Sequence, residues 1–343
     1  MNITIRPLDL SSDAELQQYV RVDVATDDQL YGGSEHYTAA ETRARLAGTP
    51  FWDQHQWVAA VSGAEEIVGY LAASVPLREN LDQVFVDLVV HPEHRGQGVA
   101  TALVETALRP FMASSGRSIV AIFGSIPKDG DPDDPSFPAN RVAARIGIGR
   151  KNVAVCRVLD LPIPGGVLEE LSRSVAEKIG DYRILTIDGA IPDEHLAAYG
   201  ALMRQLDLDD PDEDFEHDAP EYTPERIRIA EKRLRDSGKR SLISVAVAPD
   251  GTFVGNSVVE FHAGEGTSVG WQENTLVMPE HRGHRLGLAL KIETHRRLAE
   301  EAPALRGIAT WNSHVNPWMI AVNEQLGYRI AHREIAFQGS MSP

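Results

Sequence analysis

Apolar and polar positions alternate with two different periods along this chain, and the periods change in the same order in each half. Residues 3–8 (ITIRPL) alternate at period two and predict a strand. Residues 11–22 open with Ser and Asp, carry apolar side chains at helical spacing, and predict a helix. Strands follow over 57–61 and 67–75, about a Ser-Gly turn, and over 84–90. A helix over 97–112, a strand over 119–125, a short helix over 139–145 and a strand over 151–159 complete the first half. The second half predicts a strand over 182–187, then helices over 192–206, with Pro in its first turn, and 224–237. Strands over 241–247, 252–262 and 267–277, a helix over 286–301, a strand over 307–311, a helix over 317–325 and a closing strand over 328–337 follow. Between the halves, 161–181 begins Leu-Pro-Ile-Pro-Gly-Gly and has a helical centre. The chain therefore reads as two tandem domains, 1–160 and 182–343, joined by a linker helix in 161–181. Hairpins and crossovers mix in each half, so the expected fold class is α/β, with mixed, twisted sheets carrying helices on both faces.

Composition narrows this picture. At 343 residues and 43% hydrophobic, the chain is long enough for two domains with real cores. No stretch of about 18 apolar residues is present, so no membrane span is expected. The first residues lack an apolar signal core. The single cysteine, Cys156, lies in an apolar run; it reads as a buried core thiol, and a chain with one cysteine fits a cytoplasmic location. The formal charge of −17 supplies no basic face for nucleic acid. Much of the acid is concentrated at 127–138 and 207–221.

One short stretch occurs twice. Pro-Glu-His-Arg-Gly stands at 92–96 and again at 279–283, an offset of 279 − 92 = 187 residues, each time after a predicted strand and before a predicted helix. The first N–H groups of such a helix have no intrahelical acceptor, and with the helix dipole they favour an anion, particularly a phosphate. Gly96 and Gly98 leave room for close approach, and Arg95 adds a charged donor. A tight turn with its arginine paired to a surface acid would explain the same residues. The stretch is neither a P-loop nor the dinucleotide fingerprint, which would need glycine where Thr101 stands.

Arg95-Gly96-Gln97-Gly98-Val99-Ala100 resembles the acyl-CoA pyrophosphate loop of the GNAT superfamily of N-acyltransferases, (Gln/Arg)-x-x-Gly-x-(Gly/Ala). Arg282-Gly283-His284-Arg285-Leu286-Gly287 is similar, except that Arg285 replaces the first glycine. The stretch 316–328 resembles that family's Asn-x-x-Ala…Leu-Gly-Phe segment, with Asn316 as its CoA-contacting residue. The resemblance implies two tandem acyl-CoA N-acyltransferase-like domains with largely antiparallel sheets. It implies acetyl-CoA as co-substrate, no metal, and transfer to a primary amine of a small cationic molecule by direct attack in a ternary complex. CoA would contact the strand segments Leu88, Val89, Val90 and Thr275, Leu276, Val277. It would also contact the loops and helix starts: Arg95, Gly96, Gln97, Gly98, Val99, Ala100 and Thr101; then Arg282, Gly283, His284, Arg285, Leu286, Gly287 and Leu288.

For the general base, Glu273 stands nine residues before the loop arginine (282 − 273 = 9), and regular alternation puts it on the face of Thr275 and Val277. Its counterpart, 273 − 187 = 86, is Val86, and the neighbouring Asp87 points the other way. The second domain is therefore expected to be catalytic and the first to be a degenerate copy. The family's acidic Tyr position holds Asn323 and Ala143. These two absences favour a rival reading, an acyl-CoA-binding regulator or scaffold without turnover. His91/His94 and His281/His284 have a spacing used by metals, but the intervening turn is not helical; His94 and His281 are expected to bond the turn's backbone. The acidic loop 207–221 is expected to rim the second domain's acceptor groove and attract a cationic amine. No membrane or nucleic-acid partner is expected, and the chain is expected to be a monomer or homodimer.

Overall fold

The computed structural model describes residues 2–63, 66–209 and 213–341; Ala64 and Glu65 of the first hairpin and Asp210, Pro211 and Asp212 of the acidic loop lie outside the described residues. The elements follow the predicted order. The first half has β1 (Ile3–Pro7), α1 (Asp13–Tyr31), α2 (Ala39–Arg45), β2 (Trp52–Val61), β3 (Glu66–Pro76) and β4 (Gln83–Val90). Then come α3 (Val99–Leu103), α4 (Arg109–Ser115), β5 (Ile119–Pro127), α5 (Pro138–Ile146) and β6 (Gly149–Asp160). A π turn, Val104–Leu108, joins α3 to α4. Pro110 explains it: proline supplies no N–H, and its ring displaces the carbonyl one turn back. The helix α2 was not predicted. Its signal was Thr38-x-x-Glu41, a capping box in which each residue's side chain serves the other's backbone.

The connecting helix α6 (Val167–Ala176) leads to β7 (Arg183–Asp188), α7 (Leu196–Asp209), α8 (Pro224–Asp236), β8 (Lys239–Val247), β9 (Phe253–His262) and β10 (Val269–Val277). The chain ends with α9 (Leu286–Glu301), β11 (Gly307–Ser313), α10 (Pro317–Leu326) and β12 (Arg329–Ser340).

The chain divides into two compact units, Met1–Val155 with Asp212–Asp218 and Ala331–Pro343, and Cys156–Pro211 with Ala219–Ile330. The units do not follow the sequence halves. In the first, the strand order is β1-β2-β3-β4-β5-β12, antiparallel except for β4 beside β5. Its last strand is thus the chain's C-terminal strand, and Ile335 and Phe337 of β12 are buried in its core. In the second unit the order is β11-β10-β9-β8-β7, with β10 and β11 parallel, and the end of β6 lies next to β11. The units therefore depart from a boundary at 160: β12 from Ala331 belongs to the first unit, and only the end of β6, from Cys156, belongs to the second. Both closing strands follow a short helix and a glycine turn, Gly147 and Gly327, so local pattern does not say which sheet each one joins.

In the first unit α1 and α2 cover one sheet face with Leu16, Tyr19, Val22 and Leu46, while α3, α4 and α5 cover the other. In the second, α7 and α8 cover one face and α9 the other. Cys156 is buried, as expected. Among the described residues, no helix is long and apolar enough to cross a membrane.

Candidate active site

In the first unit β4 pairs with β5 only from Gln83↔Ile119 to Val86↔Ile122, after which the two strands part. In the second, β10 pairs with β11 only from Val269↔Gly307 to Trp271↔Ala309. Each sheet therefore opens a gap beside the strand that leads into the repeated turn. Backbone alternation shows which groups face it. The His91 N–H bonds the Val68 carbonyl on β3, and the Val89 carbonyl also lies against β3, so Leu88 and Val90 turn their N–H and C=O groups to the gap. In the second unit the Met278 N–H bonds the Val254 carbonyl and Leu276 faces β9, which leaves Thr275 and Val277 facing the gap. Of the six strand residues expected to meet CoA, these four face the gap by backbone, whereas Val89 and Leu276 spend theirs on the neighbouring strand.

The two turns have the same build. Each is one 3-10 turn, Pro92–His94 or Pro279–His281, followed by an extended arginine and a glycine at positive φ, 74° at Gly96 and 89° at Gly283. The helix N-caps are Gly98 (φ 88°) and Arg285 (φ 57°), both left-handed and neither with a side-chain cap. Arg285 thus preserves the loop shape at a conformational cost glycine does not bear. Its side chain lies along α6, within 3.4 Å of the Ser174 hydroxyl. Behind the exposed amides of the helix starts, Val99, Leu286 and Leu288 are core residues, and a Cβ at Gly287 would sit 3.8 Å from Thr275. Ala100 is half-buried and Thr101 exposed.

The loop arginines also brace the turn. Arg95 Nε donates to the Val90 carbonyl and Arg282 Nε to the Val277 carbonyl, each at 3.0 Å. Arg95 also reaches Gln29 on α1, and Arg282 pairs with Asp209 on α7. Gln97 donates to the Glu93 carbonyl, His284 lies against the Tyr182 ring, and Asn316 accepts from the Met319 N–H as the N-cap of α10. Two histidines differ from expectation: His281 Nδ1 meets the Tyr182 hydroxyl at 2.8 Å, and it is His91, not His94, that accepts from its own turn.

Glu273 needs a correction. The β9–β10 register shifts between Gln272 and Asn274, so Glu273 is the extra residue of a β-bulge. The face of Thr275 is taken instead by Gln272, which donates to the Ser257 hydroxyl, itself 3.3 Å from the Thr275 hydroxyl. Simple alternation therefore fails at this residue, which is exposed. On the opposite face, toward α7, stand the neutral Asn256 and Asn274, whose amides approach the Met203 sulfur.

The corresponding face of the first unit is acidic. Asp87 (β4) lies on the α1/α2 side with Tyr70 and Ala72 of β3. Glu334 and His332 alternate with the core residue Ile335 on β12 and occupy the same side. Burial and the nearby Asp87 raise the Glu334 pKa to about 7. Burial, then Asp23, raises that of Asp87, although the residue as a whole is exposed. Burial, then Asp23 and Glu35, lifts Asp27 on α1 to about 8. Asp23 itself is held by Arg45 at 2.6 Å and by the Tyr70 hydroxyl at 2.5 Å. These residues escaped sequence reasoning because they come from α1, β4 and the far end of the chain.

The acidic loop is relocated as well. Residues 213–218 lie on the first unit: the Glu216 N–H donates to Gln338 Oε1 (2.9 Å), its carbonyl accepts from Gln338 and Gln83, and Phe215 meets Phe123. Asp209, at the start of the loop, stays with the second unit, where it pairs with Arg282.

Residues 52–123 match the family model described as an acetyltransferase (GNAT) domain, and they span β2 to β5 with the first turn and gap. That stretch of the first unit is thus a GNAT acetyltransferase domain by sequence, and the chain as a whole has the fold of a tandem GNAT protein. It superposes on the tandem GNAT protein from the clavulanic acid biosynthesis pathway with a TM-score of 0.75 and 23% identity, covering 100% of this chain and 99% of that one. A GCN5-related N-acetyltransferase from Sphaerobacter thermophilus gives a TM-score of 0.61 at 17% identity over 99% and 96% of the two chains. In sequence the chain is 25% identical over 280 residues to the mycothiol acetyltransferase of Nocardia farcinica (strain IFM 10152), 79% of each protein.

Proposed function

We propose that this acetyltransferase moves the acetyl group of acetyl-CoA to a primary amine of a small molecule, by direct attack in a ternary complex, at the gap between β4 and β5. The observation that carries this reading is the pair Asp87 and Glu334, which stands on the same sheet as that gap, with Glu334 titrating near neutral pH. A base with a pKa near the working pH is the efficient one for deprotonating an ammonium group. Glu334 or Asp87 takes the proton, and the amine nitrogen attacks the thioester carbon. The oxyanion is stabilised by the Leu88 N–H, the C–S bond breaks, and CoA leaves as thiolate, which takes up the second nitrogen proton as the amide forms. The turn at Arg95–Thr101, with its open glycines and unpaired amides, holds the diphosphate. Acetyl transfer also agrees with what the Nocardia relative's name says of that protein.

A second reading puts the chemistry in the second unit, with Glu273 as base; its place at a bulge on β10, the strand that borders the β10/β11 gap, favours it. Release of free thiol from acetyl-CoA, followed against a panel of amines, tests both. For the first reading, kcat/KM rises with pH through about 7 as Glu334 ionises, and Glu334→Gln removes that limb. Thiol release that is absent with every amine, despite CoA binding, would leave an acyl-CoA-binding protein without turnover.

A further inference from the structure

The sheet face of the first unit that carries Asp87 and Glu334 also carries aromatic rings, and strand register places them at the gap. The last β4/β5 pair is Val86↔Ile122, so Asp87 and Phe123 are the first residues on the two lips of the opening. Alternation puts Phe85 on the same face as Asp87. Phe123 pairs with Ala336 of β12 and shares that face with Glu334, two residues before Ala336. Phe85 meets Trp52 of β2 edge-on, with ring centres 5.8 Å apart. Phe123 meets Phe215, with ring centres 5.9 Å apart and planes tilted by 38°. Each lip thus carries a ring backed by a second ring. None of the four belongs to a core cluster; Phe85 and Phe215 are half-buried, and Phe123 is 42% exposed.

Phe215 comes from the loop between α7 and α8, and the chain is fastened on both sides of it. The Asp214 N–H donates to the Lys151 carbonyl at 3.1 Å. The Glu216 carbonyl accepts from Gln338 at 2.7 Å and from Gln83 at 3.0 Å. Asn80 bonds the Asp218 N–H at 2.7 Å and its carbonyl at 3.0 Å. Gln83 and Gln338 are each 4% exposed and bond one another at 3.0 Å. Two buried amides are therefore committed to holding a partly exposed ring beside the gap. A ring fixed in advance loses little freedom when a ligand packs on it. An aromatic ligand gains from edge and face contacts with such rings beyond the area it buries, whereas an alkyl chain gains the area alone.

Resting on the reading that transfer occurs at the β4/β5 gap, we infer that the acceptor is an arylalkylamine, whose nitrogen lies at Asp87 and Glu334 and whose ring packs against Phe123 and Phe215. These two phenylalanines set the specificity. The link between ring and nitrogen is short, because Asp87 and Phe123 each stand one residue past a pair of strands about 5 Å apart.

The test uses the full chain and follows thiol release with phenethylamine and tryptamine against propylamine and hexylamine. The better arylamine should exceed hexylamine by about 10-fold in kcat/KM, the scale of ring contacts with two aromatic side chains. Phe215→Leu and Phe123→Leu both keep an apolar side chain; each should cut that ratio to about threefold or less, through the KM of the arylamine and not that of acetyl-CoA. Phe123 stands on β5, so its variant tests the wall independently of the loop. Calorimetric binding of phenethylamine to the CoA-saturated protein should weaken by a matching factor in both variants, which a purely structural role for the loop would not produce. Equal rates for arylamines and hexylamine, or no binding of phenethylamine, with turnover still lost in Asp87→Asn/Glu334→Gln, would overturn the inference and leave the gap as the site. An arylamine preference retained by both phenylalanine variants would overturn it as well. Turnover that survives the double carboxylate variant and is lost in Glu273→Gln would overturn the reading on which the inference rests.

Discussion

At the scale of single residues, the molecule contains charges placed where water cannot help them. Lys291 on α9 is fully buried; its Nζ donates to Asn323 Oδ1 at 2.6 Å and lies 4.8 Å from the centre of the Tyr328 ring. Loss of hydration lowers its pKa from 10.5 to about 7. Between pH 7 and 10.5 the unfolded chain holds this proton and the folded chain does not. Stability therefore rises with pH across that window, by up to about 1.4 kcal/mol per unit from this group. Urea midpoints at pH 7.5 and 9.5 should show the rise in the parent protein and a smaller one in Lys291→Met. Asn323, read from the sequence as the site of a missing acid, is thus the partner of this lysine. The residues of the repeated turn were legible because their roles are local: glycine at positive φ, unpaired amides, a strand before and a helix after. Asp27, Asp87 and Glu334 were not, since their shared environment is made by folding alone. Asp87 was even set aside for pointing away from Val86, and it does; the acidic sheet face is the one to which it points.

At the scale of elements, most strands and helices followed from periodicity, and α9 was predicted at its observed limits, 286–301. The failures have physical causes. A bulge adds one residue to a strand without any change in its apolar pattern, so the register of Glu273 could not be read from alternation. The acidic loop carried no sign of its destination, because its attachment runs through backbone groups. Gln338 clamps the Glu216 peptide from both sides, and it is 4% exposed. Gln338→Leu would leave that part-buried N–H without its partner, with an expected loss of about 0.5–1.5 kcal/mol in chemical denaturation. An unchanged midpoint would mean that the loop contributes nothing to the first unit's stability.

At the scale of the whole molecule, the internal repeat announced two GNAT folds, but the first takes its last strand, β12, from the far end of the chain, so the halves of the sequence are not the units of the fold. A polypeptide of residues 1–160 lacks β12 and with it the core residues Ile335 and Phe337. It should show no cooperative thermal transition by circular dichroism; a sharp transition would indicate that β6 can take the place of β12. The first unit nevertheless carries the family match, the glycine-capped turn and the acidic sheet face, and it is there that we propose acetyl transfer takes place. The most direct test compares thiol release in Asp87→Asn/Glu334→Gln with that in Glu273→Gln, at saturating acetyl-CoA and pH 8. The double variant should still bind CoA but lose about 100-fold or more in kcat, the usual contribution of a general base, while Glu273→Gln should stay within about threefold of the parent. A double variant that turns over normally, beside an inactive Glu273→Gln, would contradict it.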